Sequence, residues 1–103
     1  MMTIENLKTF KGNDAPNQMV ITDDKRNELF YSYNTLIGVF ILFGRNAGIY
    51  LDEEYINHSA TTSLYRNQWL GFRSTEEFRK LLRSGEHNIK IVSSNKLSIL
   101  TSF

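Results

Sequence analysis

The stretch ELFYSYNTLIGVFILF, residues 28–43, constrains this chain more than any other. Its odd positions Leu29, Tyr31, Tyr33, Thr35, Ile37, Val39, Ile41 and Phe43 form one mostly apolar face, the period-two signature of a strand. The even positions Phe30, Ser32, Asn34, Leu36, Gly38, Phe40 and Leu42 are mixed early and apolar late. A strand half-buried at its start and covered on both faces at its end fits that pattern. The region exceeds the usual strand length, so a bend or bulge is expected near Asn34 or Gly38. The longest apolar run, Leu36 to Phe43, contains Gly38 and is far too short to span a bilayer. It reads as a buried strand.

Turn chemistry divides the rest of the chain. Residues 1–17 read as a loosely ordered lead-in ending in the breaker cluster KGNDAPN. QMVIT (18–22) reads as a short strand and DDKRN as a polar turn. GRNAG (44–48), with glycine at each end, predicts an antiparallel hairpin between residues 36–43 and IYL (49–51). DEEYINHSA then leaves the sheet. Thr61, Thr62 or Ser63 can cap a helix in which Tyr65, Trp69 and Phe72 recur at helical spacing and which Gly71 ends. STEEF starts a second helix: Ser74 and Glu77 have capping-box spacing, and both glutamates lie in the positive first turn. Phe78, Leu81 and Leu82 form its apolar stripe, Glu76 and Lys80 an i,i+4 pair, and Gly85 its C-terminal stop. NIKIV and KLSIL around SSN predict a C-terminal hairpin. The expected class is α+β: an antiparallel sheet, a meander plus C-terminal hairpin, with two short helices packed on one face.

The 103 residues fit one domain, 1–103, and the 41% hydrophobic content supports a packed core. The chain has no cysteine, which excludes disulfides, thiolate metal sites and a cysteine nucleophile and is compatible with a reducing cytoplasm. The start MMTIENLKTFKGNDAP has no apolar signal-peptide core, and no membrane partner is expected. Net charge is +1 but unevenly spread. Residues 1–57 hold five Lys/Arg against eight Asp/Glu, and residues 58–103 hold seven against three. Such asymmetry marks either a basic interaction surface or the ordinary mixed surface of a small domain.

Catalytic patterns are weak. Glu54 and His58 are four apart, but a metal site needs at least one more convincing ligand than Asp52 or Glu53. His58 with Ser59 or Ser63 lacks a nucleophile elbow and an acid–base pattern, and serines before a helix serve as caps. GRNAG lacks the spacing and the lysine of a phosphate-binding loop. No enzyme, cofactor or metal is expected. Arg66, Arg73, Arg79, Lys80, Arg83, His87 and Lys90 cluster in sequence near Tyr65, Trp69 and Phe72. Basic groups beside aromatic rings can hold phosphates and stack on bases, although helical spacing of those rings also fits a core. Asn34, unfavourable in mid-strand unless paired or solvated, is expected with Tyr33 and Thr35 to tie the main strand to the HSATTS helix start.

Ser32 to Thr35, Tyr50–Leu51, Tyr55, Ser59, Thr61 to Ser63, Asn67 and Trp69–Leu70 together resemble a group of small proteins encoded by bacteriophages and mobile elements. The span is what a single supersecondary unit occupies. Members of that group often carry a basic residue or histidine after Thr-Thr-Ser, where this chain has Leu64-Tyr65-Arg66. The group supplies no activity to carry over. Phage origin implies an accessory protein in the bacterial cytoplasm that binds and inhibits a host protein or ribonucleoprotein, most concretely a CRISPR-Cas effector. The surface expected to do so is the helix face of Arg66, Arg73, Arg79, Lys80 and Arg83, or the acidic loop of Asp52, Glu53, Glu54 and Tyr55. The alternative is a small nucleic-acid-binding module on the same basic helix.

Overall fold

A computed structural model describes residues 2–56, 59–85 and 88–101. Among them the chain order is β1 (Thr3–Lys8), β2 (Asp14–Thr22), β3 (Glu28–Ser32), β4 (Thr35–Ile41), β5 (Gly48–Asp52), α1 (Ala60–Leu70), α2 (Thr75–Ser84), β6 (Ile89–Val92) and α3 (Ser94–Leu100). The strands form one sheet in the order 1-2-3-4-5-6. β1 to β5 are an antiparallel meander, and β6 runs parallel to β5. A parallel neighbour needs a crossover, and α1 and α2 supply it. The fold is therefore α+β with a mostly antiparallel sheet, as its sequence pattern indicates.

The long apolar region is two strands. Tyr33 and Asn34 both have positive φ, 52° and 64°, as a two-residue type I′ hairpin turn requires. Asparagine tolerates that conformation; tyrosine does so at a cost. A bulge follows, because Phe30 pairs with Gly38 while Tyr31 pairs with Leu36, leaving Ile37 as the extra residue. Ile37 thereby joins Phe30 on one face, whereas Val39 and Ile41 point to the other. The expected interruption is present, sharper at Asn34 than a bend.

Three further expectations need correction. Residues 1–17 carry β1 and the start of β2, held against α1 by Gln68, whose side chain bonds both the N–H and the C=O of Lys8 at 2.9 and 2.8 Å. KLSIL belongs to α3, and no terminal hairpin forms: the Lys96 N–H donates to the Ser93 hydroxyl at 3.1 Å, so SSN is a helix start. The two expected helices, α1 and α2, do share one face, but a third helix, α3, covers the other. α1 and α2 pack Tyr65 and Phe78 against Val20, Phe30, Ile37 and Leu51, while α3 inserts Leu97 among Leu29, Val39, Ile41 and Tyr50. A sheet apolar on both sides needs cover on both, and that need decides the conformation of KLSIL.

Gly38 sets how closely α1 approaches. A Cβ there would lie 2.7 Å from Leu51 Cδ2 and 2.9 Å from Trp69 Cζ3. Trp69 stacks on Phe30 with centroids 5.5 Å apart and donates its indole N–H to Glu28 at 2.9 Å. Both helices end as glycine dictates, at Gly71 and Gly85 with φ of 81° and 71°.

Candidate functional site

The two motif segments meet. Ser32 at the end of β3 and Thr62 in the first turn of α1 share a buried hydrogen bond of 3.0 Å. Ser59, rather than Thr61, Thr62 or Ser63, caps α1: its hydroxyl accepts from the Thr62 N–H at 3.0 Å and donates to Thr62 Oγ1 at 3.1 Å. Sheet and helix start are therefore tied as expected, but by Ser32. Asn34 is exposed in the hairpin turn. Thr61 is exposed and Ser63 half-buried. Around this junction lies a concavity of about 320 Å³ lined by Ser32, Tyr33, Thr35, Ile37, Tyr55, Ser59, Thr61 and Thr62. Its described lining carries hydroxyls and an apolar floor, without carboxylate, imidazole or ammonium. Three of those hydroxyls are engaged with one another, which makes the junction a frame.

Sequence reading missed Gln18. It is 1% exposed, sits opposite Ser32 in the ladder, and neither of its amide atoms has a hydrogen-bond partner among the described residues. A glutamine inside the strand QMVIT was the available signal.

Arg66 is not on the basic surface. It is 0% exposed. Its guanidinium donates to the Ile56 carbonyl at 2.9 Å and to Asn67 Oδ1 at 3.1 and 2.8 Å, and lies 3.9 Å over the Phe78 ring. Asn67 Nδ2 donates to Thr75 Oγ1 at 3.1 Å, extending the network to α2. Burial, followed by repulsion from Arg79, lowers the Arg66 pKa to about 10. The planar, multi-donor group staples the loop before α1 to both helices, a task suited to arginine.

The acidic segment is likewise partly structural. Asp52 is 2% exposed, and its carboxylate accepts the Glu54 N–H at 2.8 Å. Glu53 and Glu54 are exposed, and Tyr55 packs half-buried against the core. Of the predicted cations, Arg73, Arg79, Lys80 and Arg83 are exposed. Glu76 and Lys80 form no ion pair within 4.0 Å; the described ion pair is Lys8–Asp14. His58 and His87 lie outside the described residues. Among those described, no three His, Cys, Asp or Glu side chains gather as a metal site would require, and no helix is long and apolar enough to cross a membrane.

Sequence reading also missed a second charged surface, on the α3 side. Lys25, Arg45 and Lys96 line one concavity of about 430 Å³ with Phe43, which is 71% exposed. Lys25 and Lys96 are distant in sequence from Phe43 and Arg45, and Phe43 reads there as one more strand position.

Comparison with known proteins places the molecule by family. No curated protein and no solved structure matches the chain. A family model described as a family of unknown function, DUF8033, matches residues 1–84, from β1 through α2. The chain belongs to that family.

Proposed function

We propose that this protein acts by binding a macromolecule with an acidic surface, through the exposed face of α2, and not by catalysis. One observation carries the reading. Arg79, Lys80 and Arg83 stand together on α2, exposed, with Arg73 just before the helix and no described carboxylate within ion-pair distance. Phe78 anchors the opposite side of α2 in the core at 1% exposure. The cations are thus presented on a docked helix rather than a free one, which lowers the entropic cost of binding. Complementary charge of this kind speeds encounter and selects partners.

The resemblance to phage proteins makes a host protein or ribonucleoprotein the concrete partner, a CRISPR-Cas effector first among them. A nucleic-acid module on this same helix is less well supported. Tyr65 and Phe78 are buried, and Trp69 and Phe72 pack half-buried against the core, so α2 offers phosphate-binding charge without a ring on which a base can stack.

A CRISPR interference assay in cells expressing the chain tests the concrete form. Protection of the invading DNA by the wild type, lost in the R79E/K80E/R83E variant, is the expected result. Equal protection by both proteins would remove α2 from the account, and protection by neither would remove the effector as partner.

A further inference from the structure

We propose a second binding site, for single-stranded nucleic acid, where Phe43 stands exposed among Lys25, Arg45 and Lys96 at the α3 side of the sheet. This goes beyond the α2 reading and does not rest on it.

The local chain builds a rigid platform. Asp23 folds the β2–β3 turn by accepting the N–H groups of Lys25 and Asn27, each at 2.9 Å. Asn27, 5% exposed, then accepts the Leu42 N–H at 3.1 Å and so ties this turn to the end of β4. The Tyr50 hydroxyl donates to the Asn46 carbonyl at 2.9 Å and pins the β4–β5 loop from below. Lys25 and Arg45 are thereby carried on two connected loops that flank Phe43, and Ser93 caps the helix that brings Lys96.

The chemistry of that platform is selective. Phe43 is 71% exposed and borders two concavities, the larger of about 430 Å³ and the smaller of about 330 Å³. The larger is lined by three cations, two asparagines and apolar side chains including Ile99, with no carboxylate. The smaller adds Arg26, together with Asp24. Asp23 is turned into its own loop through both carboxylate oxygens, so it does not neutralise the larger concavity. Lys25, Arg45 and Lys96 form no ion pair among the described residues. An exposed ring beside unpaired cations matches a strand whose phosphates and base faces are both accessible. A duplex keeps its base faces in its own stack and would leave Phe43 without a partner.

Fluorescence anisotropy with a labelled oligo(dT) strand, titrated with the full chain at several salt concentrations, tests the site. Saturable binding that weakens steeply with salt is expected. F43A should weaken it by about 5- to 150-fold, the range of one base–aromatic stack. K25E/R45E/K96E should abolish it, while R79E/K80E/R83E should have much the smaller effect at physiological salt, where exposed charges more than about 8 Å from the strand are largely screened. All substituted side chains are exposed, and circular dichroism checks that each variant keeps the fold. Absence of saturable binding, an unchanged affinity in F43A, equal affinity for a duplex of the same length, or loss of binding only in the α2 variant would each overturn the proposal.

Discussion

Arg66 shows how far a residue's chemistry depends on what surrounds it. In sequence it belongs to a run of cations; in the fold it is the largest fully buried side chain among the described residues, bonded to Ile56 and Asn67 and stacked on Phe78. Nothing local distinguishes it from Arg73, because its partners come from the loop, α1 and α2. Truncation leaves several buried oxygens without donors, so Arg66→Ala should destabilise by about 3 kcal/mol or more. Arg66→Lys should also destabilise, by about 2 kcal/mol, because an ammonium cannot reproduce the fork. Urea denaturation midpoints measure both. The pKa near 10 lies below the ordinary arginine value, so burial of the charge opposes folding at any pH below it. That cost eases only as pH rises through the folded value, and the Arg66 contribution to stability is therefore flat across the neutral range. Gln18 is the converse case: its buried amide meets no partner among the described residues, so no protein group offsets the cost of burying it. Gln18→Met should raise stability by about 1 kcal/mol, read as a higher thermal midpoint.

At the scale of elements, what could be read from sequence was what short-range chemistry determines. α2 announces itself by Ser74, Glu77 and Gly85, and GRNAG joins β4 to β5, because caps and turns are decided within a few residues. KLSIL was not legible in the same way. A short apolar run fits strand or helix equally, and here the uncovered face formed by Leu29, Val39, Ile41 and Tyr50 decides. Ser93→Ala should therefore cost about 1 kcal/mol by removing the cap of α3. The β3–β4 turn is the strained element, with Tyr33 at φ 52°. Tyr33→Gly should stabilise the hairpin by relieving that conformation, measured as slower amide hydrogen exchange in β3 and β4, whereas faster exchange would mean that the ring packs more than the backbone strains. Gly38→Ala acts in the opposite direction. Its Cβ has no room under Trp69, so a loss of about 1–3 kcal/mol is expected from the same denaturation series.

For the whole molecule, a sheet covered on both faces separates two cationic surfaces. α2 carries one over the core cluster containing Phe78, and α3 helps to carry the other over the cluster containing Leu97. The positive excess of residues 58–103 had pointed to the first, once Arg66 is removed from it. The second was hidden because Lys25 and Lys96 are brought to Phe43 and Arg45 only by the meander and the crossover. The motif YSYNT with HSATTS turned out to describe the frame that orients α1, with Ser32, Ser59 and Thr62 bonded to one another. Binding chemistry lies around that frame, on side chains that no local pattern marks.

On the proposed function, the exposed cations of α2 hold an acidic macromolecular partner. Affinity capture from nuclease-treated bacterial lysate, using the wild type, R79E/K80E/R83E and K25E/R45E/K96E side by side, tests it most directly. The expected result is one partner that is retained by the wild type and by K25E/R45E/K96E, released by raised salt, and lost from R79E/K80E/R83E. The same partner captured equally by the α2 variant, or no partner retained by the wild type, would contradict it.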